Sequence, residues 1–214
     1  MARRLPVYLV LDTSGSMHGE PIAAVETGIQ MLVSALRKDP QALENAYLSV
    51  ITFGGNNAQQ IVPLTELTMF QAPPLSANGQ TPLSEALSLL AKKIDSEVVK
   101  TTAETKGDWK PLVFIMTDGD PTDDWQKGLA EFKKCKTGMV VACVAGQGVN
   151  TNVMKQVTEN VVQLDTTTSD DMKAFFQWVS SSISASSQKV DGGGGEATGL
   201  NDMPPPPPVV NFVA

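Results

Sequence analysis

Val7-Tyr8-Leu9-Val10-Leu11-Asp12-Thr13-Ser14-Gly15-Ser16 is the stretch on which the fold turns. Its opening residues are apolar or aromatic without interruption, the pattern of a strand buried on both faces of a parallel sheet. The run then breaks into a carboxylate followed, two and four residues on, by two serine hydroxyls on a Gly-containing loop. At the carboxyl end of a strand in an open α/β sheet, such a loop faces the edge where ligands bind, and the helix after it aims its amino terminus at the same place. Asp12, Ser14 and Ser16 present only hard oxygen donors. That donor set points to Mg²⁺ or Mn²⁺, with Ca²⁺ as a further option, rather than to zinc or a nucleotide.

Outward from this stretch, apolar runs alternate with helical patterns as far as about Ser186, the signature of an α/β sheet with helices on both faces. Strands are predicted at Leu5–Leu11, Tyr47–Phe53, Gln60–Leu64, Leu112–Met116, Gly138–Ala145 and Val161–Leu164. Turn chemistry at Gly54-Gly55-Asn56-Asn57 makes the second and third of these a hairpin, so a mostly parallel, six-stranded sheet acquires one antiparallel edge strand. Helices are predicted over Pro21–Leu36, Pro82–Val98, Asp124–Cys135, Thr151–Val157 and Asp170–Ser184, with Thr81 at the amino-terminal cap of the second.

The pattern divides the chain into a domain over residues 1–187 and a Gly/Pro-rich flexible tail over 188–214. The run Pro204, Pro205, Pro206, Pro207 and Pro208 favours polyproline II, and is either an idle extension or a docking segment for a proline-binding partner. The apolar patch Val209-Val210-Asn211-Phe212-Val213 is expected to dock on the domain itself or on a partner.

With 214 residues, of which 42% are apolar, the chain has enough for one ordinary core. A formal charge of −7 and an isoelectric point near 4.7 argue against nucleic acid, which calls for a clustered basic surface. No apolar run approaches the roughly 18 to 20 residues that span a bilayer, and no signal-peptide pattern opens the sequence, so a soluble, cytoplasmic protein is expected. Cys135 and Cys143 stand apart from any His or Cys cluster and read as free thiols.

Three separated segments bring oxygen donors to one sheet edge: Asp12, Ser14 and Ser16 after the first strand, Thr81 at a loop-to-helix junction, and Asp118 after the central strand Leu112–Met116. Together, Asp12-x-Ser14-x-Ser16, Gly79-x-Thr81-Pro82-Leu83 and Phe114-Ile115-Met116-Thr117-Asp118-Gly119 resemble the von Willebrand factor type A (vWA) domain and its metal-ion-dependent adhesion site. The resemblance covers about residues 5–186 and implies a three-layer, Rossmann-like fold. It further implies that Ser14 and Ser16 bind a metal directly, that Thr81 does so in the ligand-competent state, and that Asp12 and Asp118 act largely through water. An open coordination position would then accept an acidic side chain of a partner protein. Asp120 and Trp125, on the loop after Asp118, are candidates for contacting that partner.

Taken singly, Ser14, Ser16 and Thr81 read better as helix caps, Asp120, Asp123 and Asp124 as a solvated acidic loop and cap, and His18 as a surface residue; the joint occurrence with Asp12 and Asp118 turns the three hydroxyls toward the metal reading. An enzyme of the haloacid dehalogenase kind is the main rival, because Gly119-Asp120-Pro121-Thr122-Asp123-Asp124 matches its acidic motif. Its general acid, however, would stand where Ser14 stands, so no enzymatic activity is expected. A scaffold acting mainly through the Pro-rich tail is the other alternative. Within the family, the Arg3-Arg4-Leu5-Pro6-Val7-Tyr8 start, the run through Pro21, the segment ending at Trp125 and the Pro-rich end are similar to the TerY-like proteins of bacterial tellurium-resistance and stress operons. That similarity implies a complex with a protein kinase and a metal-dependent phosphatase.

Overall fold

The computed structural model of the protein describes residues 3–146, 148–191, 195 and 202–213. Strand β1 (Leu5–Asp12) is buried along its whole length, as its uninterrupted apolar run requires. It lies parallel between β2 (Ala46–Gly54) and β4 (Leu112–Thr117), with Leu9 opposite Val50 on one side and Phe114 on the other. β3 (Asn57–Glu66) folds back antiparallel on β2. β5 (Val140–Ala145) and β6 (Val161–Leu164) extend the parallel sheet beyond β4.

Period-two alternation splits β1 between two cores. Leu5, Val7, Leu9 and Leu11 meet Ile22, Val25, Ile29 and Leu32 of helix α1 (Glu20–Leu36), with Phe175, Phe176 and Val179 of the last helix behind them. Tyr8 and Val10 face the other way, into Leu83, Leu87 and Leu90 of α3 (Leu83–Glu97) and Leu129 and Phe132 of α4 (Trp125–Phe132). Two short helices, α2 (Pro40–Asn45) and α5 (Asn152–Val157), complete the layers, and α6 (Ser169–Asp191) closes the first face. No described helix is long and apolar enough to cross a membrane.

The sheet has seven strands, not six, and both of its edges run antiparallel. The added strand, β7 (Val210–Phe212), comes from the apolar patch near the carboxyl end and pairs with β6, with Val162 opposite Phe212. Unpaired, β6 would expose a row of backbone donors and acceptors; β7 covers them. Val210 is buried beneath it, and the Val213 amide donates to the Val161 carbonyl at 3.0 Å.

α6 also outruns its expected end at Ser184. Its serines are tolerated inside because Ser180 and Ser182 donate back to the carbonyls of Gln177 and Trp178, and Ser187 donates to Asn45 Oδ1 at 2.8 Å. Residues 202–213 pack against the domain instead of leaving it. Met203 is buried, Lys189 pairs with Asp202, and the Trp178 indole N–H donates to the Pro204 carbonyl at 2.9 Å. Of the prolines, Pro205 and Pro208 are exposed while Pro204, Pro206 and Pro207 are half-buried. Apart from Gly195, the glycine-rich stretch over 192–201 lies outside the described residues.

Candidate functional site

β1 and β4 are neighbours, while the chain leaves β1 toward β2 and leaves β4 toward β5. Their carboxyl ends therefore open a crevice at the point where the strand order reverses. Asp12, the last residue of β1, is fully buried there. Its Oδ1 accepts from the Ser14 amide at 2.8 Å, and its Oδ2 accepts from the Thr117 hydroxyl, at the end of β4, at 2.6 Å. A single 3-10 turn, Gly15–Met17, follows, pinned from below by the buried Met17 side chain. It sets Ser14 Oγ 3.1 Å from Ser16 Oγ, and Ser16 Oγ in turn donates to Asp118 Oδ1 at 2.7 Å.

Thr81 arrives from a loop that is bonded to both neighbours. The Asn78 amide donates to the Thr13 carbonyl at 2.8 Å, the Gly15 amide to the Gly79 carbonyl at 3.0 Å, and the Gly55 amide to the Asn78 carbonyl at 2.7 Å. Gly79 has φ +64°, and a Cβ there would lie 2.5 Å from Gly55 Cα, so only glycine lets the loop cross the β2–β3 turn. The Thr81 amide donates to Thr122 Oγ1 and the Thr122 amide returns a bond to the Thr81 carbonyl, each at 3.1 Å. Backbone bonds thus hold this nearly buried residue in place.

None of the three hydroxyls makes a side-chain capping bond, although Ser14 stands at the cap position of the 3-10 turn. The cap of α1 is Gly19, at φ +87°. The cap of α3 is Pro82, so Thr81 stands one residue further out than expected and does not cap the helix. The exposed amides of α3 are met instead by Asp123, whose carboxylate accepts from the Ser84 amide at 2.8 Å and 3.1 Å. Asp123 therefore belongs to the α3 terminus and not to a free acidic loop. Asp124 precedes α4 without a side-chain capping bond. Asp120 is exposed, Trp125 is half-buried against the α3–α4 core, and His18 is exposed. Thr117 and Thr122 are the positions a motif reading passes over: one fixes Asp12, the other fixes Thr81.

Burial raises the Asp12 pKa above the ordinary carboxylate value. Bonds from Thr117 and Ser14 oppose the rise, and the nearby Asp118 adds to it. Among the described residues no three His, Cys, Asp or Glu side chains gather into a cation site. The donors assembled at this edge are three hydroxyls and two carboxylates. That set suits a hard divalent cation that keeps some of its water, and such a cation would offset the confined negative charge of Asp12 and Asp118.

A family model described as the von Willebrand factor type A domain matches residues 7–179. An uncharacterised protein of Synechocystis sp. is 31% identical over 125 residues, which is 55% of this chain and 26% of that protein, so the chain spans about a quarter of the relative's length. Among solved structures, a von Willebrand factor type A protein from Catenulispora acidiphila is 13% identical with a TM-score of 0.63, over 86% of this chain and 44% of that one. The pilus adhesin SpaC from Lactobacillus rhamnosus GG is 15% identical with a TM-score of 0.66, over 86% and 31%. Proximal thread matrix protein 1 from the mussel byssus, solved with a zinc-occupied adhesion-site motif, is 17% identical with a TM-score of 0.59, over 84% and 48%. At these identities the likeness to the solved structures is one of fold.

Proposed function

The chain belongs to the von Willebrand factor type A family, and from that premise we propose that it is a metal-dependent protein-binding module whose metal-ion-dependent adhesion site is formed by Asp12, Ser14, Ser16, Thr81 and Asp118. The family comprises protein-interaction and adhesion modules, some of which carry such a site. The observation that carries the reading is the hydrogen-bonded line from Ser14 through Ser16 to Asp118, laid across the edge where Asp12 and Thr81 are separately fixed. Hydroxyls free of capping duty have no other evident employment there.

Ser14, Ser16 and Thr81 would hold Mg²⁺ or a similar divalent ion, with Asp12 and Asp118 orienting its waters. When bound, the ion supplies an electrophilic centre that attracts an anionic oxygen, such as a Glu or Asp side chain of a partner. Binding without turnover is the chemistry this chain's residues support. Both oxygens of Asp12 are occupied as acceptors and its side chain is buried, which leaves it unfit as a nucleophile, and Ser14 occupies the place of a general acid.

A metal titration followed by thermal unfolding tests this. A cation bound only to the folded state at a hundred times its Kd adds about 2.7 kcal/mol, or about 5 to 10 °C in a domain of this size. Wild type should show that rise and Ser14→Ala/Ser16→Ala should not; a wild-type midpoint unchanged at millimolar Mg²⁺, Mn²⁺ and Ca²⁺ sinks the reading. The finer setting, a cytoplasmic tellurium-resistance or stress complex with a kinase and a phosphatase, rests on the similarity of Arg3–Tyr8 and the segment through Trp125 to TerY-like proteins. Its test is capture of partners from the native cell with Mg²⁺ and with chelator, since an adhesion-site partner must be lost with the metal.

A further inference from the structure

The pole opposite the adhesion site holds a groove of about 790 Å³, walled by the carboxyl-terminal ends of α3 and α4 and by the segment that leads into β4. Its floor is apolar: Ile94, Val98, Val99, Trp109 and Pro111 line it, and Val99 is 54% exposed. Its rim is basic. Lys92, Lys100, Lys110, Lys134 and Lys136 stand exposed around the floor, and the Arg3 guanidinium lies 3.6 Å from the centre of the Trp109 ring.

Three acids share the lining with them: Asp95, Asp108 and the half-buried Glu131. Asp108 is engaged by Arg4 in a pair with 6% of the acid exposed, and Asp95 pairs with Lys100 in a bond open to solvent. Part of the basic rim complements the negative ends of two helices. That duty accounts for lysines near the ends of α3 and α4, but not for an apolar floor left open between them; Arg3, from a third segment, donates to the Gly107 and Asp108 carbonyls while its guanidinium covers Trp109. In a chain of net charge −7, this concentration of cations around an apolar groove makes the groove complementary to an acidic segment.

We infer that this groove docks an acidic peptide segment of a partner protein, with one or two apolar side chains seated on Ile94, Val98 and Val99 and flanking carboxylates held by the lysine rim. The apolar floor, together with the Arg3 cover on Trp109, favours a peptide over a nucleic acid, whose phosphates would leave the floor idle and whose bases would need an open aromatic face. The site is independent of the metal edge, so a partner can hold both poles or two partners can bind at once.

The probe is a fluorescein-labelled peptide, Asp-Asp-Glu-Leu-Phe-Asp-Glu, titrated with the full chain in EDTA so that the adhesion site contributes nothing. Saturable binding is expected, weakening with salt. Lys134→Glu/Lys136→Glu and, separately, Val99→Asp should each weaken it about tenfold, and both change exposed positions that leave the fold intact. Amide chemical shifts should move at residues 92–100 and 131–136 and not at 12–16. The inference is overturned by an absence of binding up to millimolar peptide or by affinities unchanged in both variants. Equal binding of a version with Leu and Phe replaced by Ser, or tighter binding of a single-stranded oligonucleotide, also overturns it. None of these outcomes bears on the metal titration.

Discussion

Asp12 carries two opposed duties, and substitution separates them. In the metal-free protein its buried carboxylate is a cost: because its folded pKa is raised, the folded state holds the proton more tightly than the unfolded chain. Its contribution to stability is therefore present at low pH and is lost as pH rises from the ordinary Asp range through the raised value. A bound cation competes with that proton and reverses the trend. Asp12→Asn keeps the acceptor for the Ser14 amide, and its amide can donate to Thr117, whose hydroxyl has the Gly119 carbonyl in reach at 3.2 Å. In chelator its midpoint should equal or exceed that of wild type, while the metal-dependent rise disappears; a midpoint several degrees lower in chelator would contradict this account. Thr81→Ala should leave metal-free stability within about 0.5 kcal/mol, since backbone bonds hold the residue, and weaken partner binding. Equal partner affinity would remove Thr81 from the site. The five proposed residues could be picked out because they stand in short contiguous motifs. Thr122 and Asp123 could not, because their duties exist only once α4 lies against α3.

That packing has its own pressure point at the scale of the element. A Cβ on Gly128 of α4 would lie 2.2 Å from the Ser84 carbonyl oxygen of α3, and backbone cannot rotate aside as a side chain can. Alanine would gain up to about 1 kcal/mol of helix propensity, yet the forced separation of the helices should outweigh it, for a net loss of about 1 to 3 kcal/mol. The loss should come with weaker metal binding, because Asp123 on Ser84 and Thr122 on Thr81 both span this seam. Denaturant midpoints and the metal titration measure the two effects separately. The sequence pattern located both ends of α3 and the start of α4 within one residue, but ran three residues past the end of α4 at Phe132 and stopped α6 early, at Ser184. A serine cluster reads as polar until the buried partner Asn45, far away in the chain, is known. β7 escaped for a related reason: three residues after a proline run carry no periodicity, and only the open edge of β6 gives them a role.

For the molecule as a whole, the carboxyl-terminal segment is a structural part of the fold. Ending the chain after residue 191 would unseat Met203 and Val210 and bare the β6 edge, so stability should fall by about 2 to 5 kcal/mol and self-association should rise. Thermal unfolding and sedimentation would show both, and a truncated chain as stable and monomeric as the full one would refute it. The three tryptophans happen to divide these surfaces among them. Trp109 lies under Arg3 in the basic groove, Trp125 opens α4 on the loop that follows Asp118 of the proposed site, and Trp178 bonds to Pro204 with its ring 6.3 Å from Phe212 of β7. Each indole's emission depends on its own cover of cation, solvent or carbonyl. Double Trp→Phe variants that keep one indole apiece would turn the protein into its own optical instrument, with one colour channel for each pole and one for the seam that closes the sheet.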